Sequence, residues 1–208
     1  MGNSNLLSEI RERLQSKSPG ILTDQQYSKF AVLLPIVMHN HKLSLLFEIR
    51  SKHLKGQPGE ICFPGGQIEK QDADPLAAAI RETSEELAIA SADIQILGPL
   101  NVLWTPFQYR IHSFVALLAG TCYPVPLASE VEDVFYVPLD FLLKTEPLVS
   151  TLHVNMQPDE SFPYHMVPGG QDYPWLNGKY PVYFYSYENY IIWGITARIL
   201  HHFLETIK

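Results

Sequence analysis

A helix that carries clustered acids, placed shortly after a glycine pair, is the feature that most constrains this chain. Asp74 is a favourable N-cap, and Pro75 suits the first position of a helix. Residues that fit a buried stripe then recur at helical spacing: Leu76, Ala79, Ile80, Thr83 and Leu87. The segment is therefore predicted to be an amphipathic helix that faces a core.

Three carboxylates lie beside that stripe. Glu82, Glu85 and Glu86 fall within one narrow arc at roughly 100° per residue, so they are predicted to converge on a single point. Arg81 is the only cation at helical spacing, in the weaker orientation for a pair with Glu85. The cluster therefore calls for a cation from outside the helix, and hard oxygen ligands suit Mg²⁺ or Mn²⁺. A solvated acidic helix face is the alternative.

The glycine pair upstream favours a functional site. Gly65 and Gly66 follow the apolar run Ile61–Phe63, which is typical of a strand. Two adjacent glycines after such a run indicate a turn at which backbone must approach another group closely.

These residues resemble the Nudix box of the diphosphate hydrolases. The similar positions are Gly66, Asp72 and the run from Arg81 to Ile89. One extra residue separates Gly66 from Arg81, and Ala88 stands where the box has glycine. The resemblance implies an α/β/α sandwich with a mixed β-sheet, and the irregular order of strands and helices agrees with that fold class.

The resemblance also implies roles for the acids. Glu82 and Glu86, with Glu85 close by, would hold the divalent ions, and the Gly66 carbonyl would be an additional ligand. One acid, from the helix or from a distant loop, would deprotonate or orient the attacking water. Arg81 is similar to the box arginine that holds a glutamate by ion pairing.

Glu130 is the best candidate acid outside the helix. It lies in a segment, residues 129–139, that resembles a segment of this family just before a short helix. An ordinary solvated acid before a strand explains Glu130 equally well.

The spacing after Gly66 is similar to that of the coenzyme A diphosphatase branch of the family. Arg50-Ser51 through Phe63-Pro64-Gly65-Gly66 resembles the upstream signature of that branch, and residues 192–197 resemble its I-W-G-x-T-A helix. Lys55 and Gln57 depart from it, because arginine and histidine are usual there. The branch implies cleavage of coenzyme A or acyl-coenzyme A to 3′,5′-ADP and (acyl-)4′-phosphopantetheine.

Three cations are candidates to meet the substrate phosphates, or else are ordinary surface charges: Arg50, Lys55 and Arg110. An ADP-ribose or dinucleotide diphosphatase is the alternative within enzymes. A non-catalytic Nudix-fold ligand-binding module is the alternative outside them, although such modules commonly lose box acids that this chain retains.

Composition limits the remaining possibilities. A length of 208 residues with 46% hydrophobic content predicts one domain over 1–208. The net charge of −7 without a basic run argues against nucleic acid or an acidic membrane as partner. Cys62 and Cys122 are expected to be buried free thiols. With neither a signal peptide nor an apolar run of transmembrane length, a cytoplasmic protein is expected.

The remaining elements follow from periodicity. Helices are expected at about 5–16, packed on the outside, at 140–143 and at about 191–206. Strands are expected at 31–37, 43–49, 61–63, 94–97, 100–103 and 110–118. Asn177-Gly178 predicts a hairpin turn within the aromatic stretch 164–190. Aromatic strands are typical of a core or a subunit interface, so a homodimer is one expectation.

Overall fold

Helices and strands alternate irregularly along the chain. The computed structural model describes residues 3–18, 27–119 and 124–208. The four helices in these ranges are α1 (Asn3–Gln15), α2 (Pro75–Leu87), α3 (Leu139–Leu142) and α4 (Gly194–Ile207). The strands are β1 (Ser28–His39), β2 (Lys42–Arg50), β3 (Ile61–Cys62), β4 (Gly65–Gln67), β5 (Ile94–Pro99), β6 (Leu103–Trp104), β7 (Tyr109–Leu118), β8 (Val131–Pro138), β9 (Leu148–Asn155), β10 (Asn177–Tyr187) and β11 (Tyr190–Trp193).

The larger sheet is mixed, as predicted. Its main order is β3-β2-β1-β7-β5, while β4 also pairs with β1, β6 with β7 and β8 with β2. Only the β1–β7 pair is parallel among the described pairs of this sheet, with Phe30 opposite Ile111. The strands β11, β10 and β9 form a second, antiparallel sheet.

Helices cover both faces of the larger sheet, which confirms the predicted α/β/α sandwich. On β1, Leu33 packs in the cluster that contains Leu87 of α2. Its neighbour Leu34 points to the opposite face and packs in the cluster that contains Leu200 and Phe203 of α4. This alternation along one strand produces the two cores.

The C-terminal helix begins later than predicted. Residues 190–193 form β11, in which Ile192 is buried while Ile191 and Trp193 are more than 45% exposed. That alternation is the period of a strand and not of a helix. Trp193 is extended and Gly194 has a φ of +65°, so the chain changes direction there and α4 follows.

The predicted turn at Asn177-Gly178 is wrong. Both residues begin β10, and Gly178 lies opposite Val154 of β9. The residues between β9 and β10, at 156–176, make the connection instead. Pairing with β9 therefore overrides the local turn propensity of the Asn-Gly dipeptide.

Two further expectations need correction. Within the predicted strand 100–103, only Leu103 belongs to a strand, because Pro99 ends β5 and β6 is restricted to Leu103–Trp104. The helix α1 was expected to pack on the outside of the fold, but it buries none of its described side chains, since every one from residue 5 to residue 18 is exposed. Cys122 lies outside the described residues, whereas Cys62 is a half-buried free thiol. No described helix has the length and apolarity needed to span a bilayer.

Candidate active site

Local interactions fix both ends of α2. The Asp74 carboxylate accepts a hydrogen bond from the backbone N–H of Ala77 at 2.8 Å, and Pro75 begins the helix, as predicted. Ala78, Ala79 and Leu87 are fully buried. The helix ends at Ala88, which adopts the left-handed conformation with φ 51° and ψ 41°. Glycine is the usual residue in that conformation, so Ala88 adds strain to the helix end.

The glycine pair brings the backbone of β4 against the acids of α2. Gly65 has a φ of +145°, and a Cβ there would lie 2.3 Å from the carbonyl oxygen of Ala31. Its N–H donates a hydrogen bond of 2.8 Å to Oε2 of Glu86. At Gly66, a Cβ would lie 2.4–2.7 Å from the carboxylate atoms of Glu82. The predicted close backbone approach is therefore confirmed, because Gly65 packs on the backbone of β1 and Gly66 on the carboxylate of Glu82. The predicted turn is wrong, since both glycines lie in β4 and pair with β1.

Arg81 organises the exposed side of this cluster. Its Nε and Nη2 donate to the two carboxylate oxygens of Asp72 at 2.9 and 3.0 Å, a bidentate pair. Its Nη1 donates to Glu82 at 2.9 Å and lies 3.5 Å from Glu85. The hydrogen bonds from Arg81 hold the pKa of Asp72 below its ordinary value. Arg81 thus links the loop before α2 to the acids of the helix.

The three helix glutamates have different environments. Glu86 is 4% exposed, and burial raises its pKa to about 8, against the lowering effect of the Gly65 N–H. Burial also raises the pKa of Glu82, while Arg81 opposes the shift. The side chain of Glu85 is 58% exposed.

The predicted convergence of the three carboxylates on one point does not occur in this structure. Among the described residues, no three acidic, histidine or cysteine side chains are arranged to hold a metal ion. Glu86 turns inward to the Gly65 N–H, whereas Glu82 and Glu85 turn towards Arg81. Because like charges repel, the carboxylates separate, and each accepts a hydrogen bond from the donor nearest to it.

A fourth acid, Glu48 of β2, was missed by sequence analysis. It is 1% exposed, and its Oε1 has no hydrogen-bond partner among the described residues. Burial, and then the charge of Glu86, raise its pKa well above the ordinary value. The thiol of Cys62 lies 3.9 Å from Oε2 of Glu48, and burial raises the pKa of that thiol. The only signal in the sequence is one acid that interrupts the apolar run Leu45–Ile49.

The donor set fits a hard divalent cation. The candidate ligands Glu82, Glu85, Glu86 and the backbone carbonyl of Gly66 are all oxygen donors, which Mg²⁺ and Mn²⁺ prefer. Burial is the largest cause of the raised pKa values of Glu82 and Glu86, and neighbouring carboxylates add to it. A bound cation would favour the ionised form of both acids.

A cleft of about 600 Å³ is lined in part by Gly65, and apolar side chains make up most of its lining. Of the three predicted substrate-binding cations, only Arg50 lines this cleft, and its Nε has no partner among the described residues. Lys55 is exposed and lies outside the lining. Arg110 also lies outside it, with its guanidinium 5.1 Å above the ring of Trp104.

Aromatic rings complete the cleft. Phe107 lies in the loop between β6 and β7, and Tyr180 and Trp193 come from the second sheet. The aromatic stretch therefore has two roles. Tyr180 lines the cleft, whereas Tyr185 belongs to the core and is 2% exposed. From the sequence, residues 104–107 are expected to form a loop that could border the site, and the position of Phe107 agrees with this. Tyr180 belongs to the aromatic stretch, for which a core or an interface is the expectation and stacking on a nucleobase the alternative.

Glu130 lies on an exposed segment that touches the loop after β2. Its backbone carbonyl accepts a hydrogen bond of 2.8 Å from the N–H of Ser51. The side chain is exposed, and its charge raises the pKa values of Glu82 and Glu86. The acid is therefore within electrostatic range of the helix carboxylates.

Comparison with known proteins agrees with the fold and the box. The family model described as NUDIX domain matches residues 29–153. The peroxisomal coenzyme A diphosphatase NUDT7 of Mus musculus is 35% identical over 141 residues, which are 67% of this chain and 60% of that protein. The uncharacterized Nudix hydrolase NudL of Photorhabdus laumondii is 30% identical over 198 residues, 95% of each chain. A C. elegans Ap4A hydrolase crystal structure is 20% identical with a TM-score of 0.46, covering 55% of this chain and 83% of that one.

The family-model match and the similarity to NudL over 95% of each chain define the class of protein. The chain belongs to the Nudix family, which confirms the resemblance found in the box. The comparisons support the prediction of an enzyme of the Nudix diphosphatase class. This chain spans 60% of the length of the mouse protein, so the substrate of that relative does not transfer directly.

Proposed function

We propose that the chain is a divalent-metal-dependent diphosphatase that cleaves coenzyme A or acyl-coenzyme A. The products would be 3′,5′-ADP and 4′-phosphopantetheine or its acylated form. The observation that carries the proposal is the position of Gly65, which donates a hydrogen bond to Glu86 of α2 and also lines the cleft. A diphosphate at this position would lie beside the acids while the rest of the substrate occupied the cleft.

The cleft suits a substrate with a long, partly apolar arm. Its volume of about 600 Å³ lies within the usual range for small-molecule sites. Val182 and Ile195 offer apolar contacts, and Arg50 supplies a positive charge to the lining. The similarity to a protein named coenzyme A diphosphatase supports this choice over other nucleoside diphosphates.

The acids would hold the metal and position the water. Glu82 and Glu86, with Glu85 and the Gly66 carbonyl, are the proposed ligands of Mg²⁺ or Mn²⁺. Such an ion, when bound, neutralises charge on the diphosphate and lowers the pKa of water. Arg81 would fix the orientation of Glu82 through its pair with Asp72.

Glu130 is proposed as the group that orients the attacking water or accepts its proton. Water attacks one phosphorus atom, the anhydride P–O bond breaks, and the other phosphate leaves with the electron pair of that bond. Glu130 is exposed beside the acid cluster, so its carboxylate can exchange the proton with solvent. Glu85 is the alternative for this role, because its side chain is also exposed.

A second candidate is an ADP-ribose or dinucleotide diphosphatase. The observation that favours it is Gln57, which lines the cleft at a position where the coenzyme A branch commonly has histidine. A ligand-binding module without hydrolysis is disfavoured, since the box acids Glu82, Glu85 and Glu86 are all retained.

A hydrolysis screen separates these candidates. Coenzyme A, an acyl-coenzyme A, ADP-ribose and NADH are each incubated with the full chain and Mg²⁺ or Mn²⁺, and the products are identified by mass. We expect 3′,5′-ADP to be formed fastest from a coenzyme A form. A preference for ADP-ribose over every coenzyme A form would select the second candidate, and no cleavage of any diphosphate would support the binding module.

A further inference from the structure

A second cavity, of about 290 Å³, lies between α4 and the segment that joins β5 to β6. Residues 100–103 form one wall, Ser113 of β7 and Tyr183 of β10 contribute to others, and α4 closes it. None of the residues proposed above to bind metal or to act on water lines this cavity. Ile199 is the one residue that lines both this cavity and the cleft, in the part of the chain that the structure describes.

Ser113 is a polar residue in a core position. It lies between Ile111 and Val115 on the face of β7 that α4 covers, and both neighbours belong to the buried core. Ser113 is 2% exposed, and its hydroxyl has no hydrogen-bond partner among the described residues. A buried hydroxyl without a partner destabilises the folded state, so its presence here calls for an acceptor from outside the chain.

Arg198 brings a positive charge to the same cavity. Its guanidinium lies 4.7 Å above the ring of Tyr180, and its buried Nη1 has no hydrogen-bond partner among the described residues. No ion pair within the described ranges involves Arg198. The cavity contains one carboxylate, Glu205, which pairs with Lys208 at 2.6 Å. The charge of Arg198 is therefore not neutralised by a direct partner.

Two histidines complete the polar lining. The ring of His201 stacks on Tyr183 at 4.3 Å, and its Nδ1 lies 2.9 Å from the hydroxyl of Tyr185. His202 accepts a long hydrogen bond of 3.4 Å from the N–H of Asn101. These contacts hold both rings in place at the cavity wall.

We propose that this cavity binds a small oxyanion of the phosphate class, with Arg198 and Ser113 as its donors. A guanidinium offers a planar fork that matches the oxygen pair of a phosphate, and a hydroxyl adds a further donor. The volume of this cavity is sufficient for a phosphate group, and it is about half the volume of the cleft. The group can come from free inorganic phosphate or from the phosphate end of a larger ester. This site is independent of the proposed diphosphatase reaction.

The test uses the full chain without divalent cation, titrated with inorganic phosphate and followed by ¹H–¹⁵N NMR. We expect saturable shifts of the amide signals of Asn101, Val102 and Ser113, with Gly65 and Gly66 unaffected. Sodium chloride at matched ionic strength should not reproduce them. Shifts confined to the amide signals of Gly65 and Gly66, or no saturable shift at all, would overturn the proposal from measurements on the wild-type chain alone.

Variants then test the donors. Arg198→Gln and Ser113→Ala should each weaken phosphate binding, Arg198→Gln by at least about tenfold, as expected for loss of a charged hydrogen-bond donor. Lys144→Gln, which removes one exposed positive charge outside the cavity, should bind as the wild type does. Equal binding by all three variants would refute the assigned donors.

A final arm distinguishes the two sources of the phosphate group. Glycerol 3-phosphate is titrated in the same way as inorganic phosphate. Binding at least as tight as that of inorganic phosphate supports a site for the end of a larger ester. Binding of inorganic phosphate alone supports a site for the free ion.

Discussion

Alanine substitutions at the two adjacent glycines should have opposite consequences. At Gly65, the new Cβ would lie 2.3 Å from the carbonyl oxygen of Ala31 and 2.6 Å from the Cα of Val32, both backbone atoms of β1. At Gly66, the three nearest atoms would all belong to the carboxylate of Glu82, at 2.4–2.7 Å. Moving the backbone of a central strand costs much free energy, because it disturbs the strand pairing, whereas the end of a glutamate side chain can move at little cost.

The magnitudes follow from these contacts. Gly65→Ala adds a clash with backbone and forces alanine to a φ of +145°, so we expect a loss of about 3–4 kcal/mol. For a chain of this size that corresponds to a fall in Tm of roughly 6–16 °C. Gly66→Ala should cost less than about 1 kcal/mol, because Glu82 can rotate away. The displaced carboxylate should nevertheless lower kcat by about 100-fold, as misplacement of a site group by 1 Å can do.

Thermal melting and coenzyme A hydrolysis at saturating Mn²⁺ are measured for both variants. Gly98→Ala is the matched control, because a Cβ there meets no atom within 4 Å. Full activity in Gly66→Ala would show that the position of Glu82 against the glycine does not matter. A Tm of Gly65→Ala equal to that of the wild type would refute the packing argument.

Three other predictions address the end of α2, the buried acid and the cleft. Ala88→Gly should stabilise the protein by about 1 kcal/mol, seen as a higher Tm, because Ala88 is left-handed; a lower Tm would contradict this. Since the folded pKa of Glu86 is about 8 against an ordinary 4.5, the unfolding free energy of the metal-free protein should fall as pH rises between these values. Glu86→Gln should reduce that fall, leaving the part due to Glu48 and Glu82, whose pKa values are also raised. The variant should be the more stable form at pH 8 in denaturant titrations, and an unchanged pH profile would be the opposing result. Arg50→Gln should raise KM by about tenfold with little change in kcat. Lys55 lies outside the cleft, so Lys55→Ala should change KM by less than about threefold. A larger effect on KM at Lys55 than at Arg50 would show that Lys55 is the cation that meets the substrate.

Local sequence signals were sufficient to predict the framework of the site. Asp74, Pro75 and the apolar spacing predicted α2, and the structure starts the helix at Pro75. The glycine pair predicted close backbone approach, and the contacts of Gly65 and Gly66 confirm it. These features depend on residues near one another in the chain, and that is why the sequence reveals them.

Features that depend on tertiary contacts were predicted less well. The carboxylates fail to converge because Arg81 is held by Asp72, nine residues earlier, and draws Glu82 towards it. Asn177-Gly178 is a strand because β9 pairs with it. Glu48 gives little signal in the sequence, since its burial follows from the packing of the sheet between two helical layers.

The central claim is that the acids of α2 carry out the diphosphatase reaction. Replacing one of these acids, in comparison with an acid elsewhere on the surface, tests this claim most directly. Coenzyme A hydrolysis at saturating Mn²⁺ is compared for the wild type, Glu86→Gln and Glu132→Gln, with products identified by mass. Glu132 is an exposed acid that pairs with Lys52 at 2.6 Å, and it controls for loss of one carboxylate. We expect 3′,5′-ADP formation to fall by at least about 1000-fold, roughly 4 kcal/mol, in Glu86→Gln and to remain unchanged in Glu132→Gln. The account would be contradicted if the wild type cleaved coenzyme A and the rate of Glu86→Gln were within about tenfold of the wild-type rate.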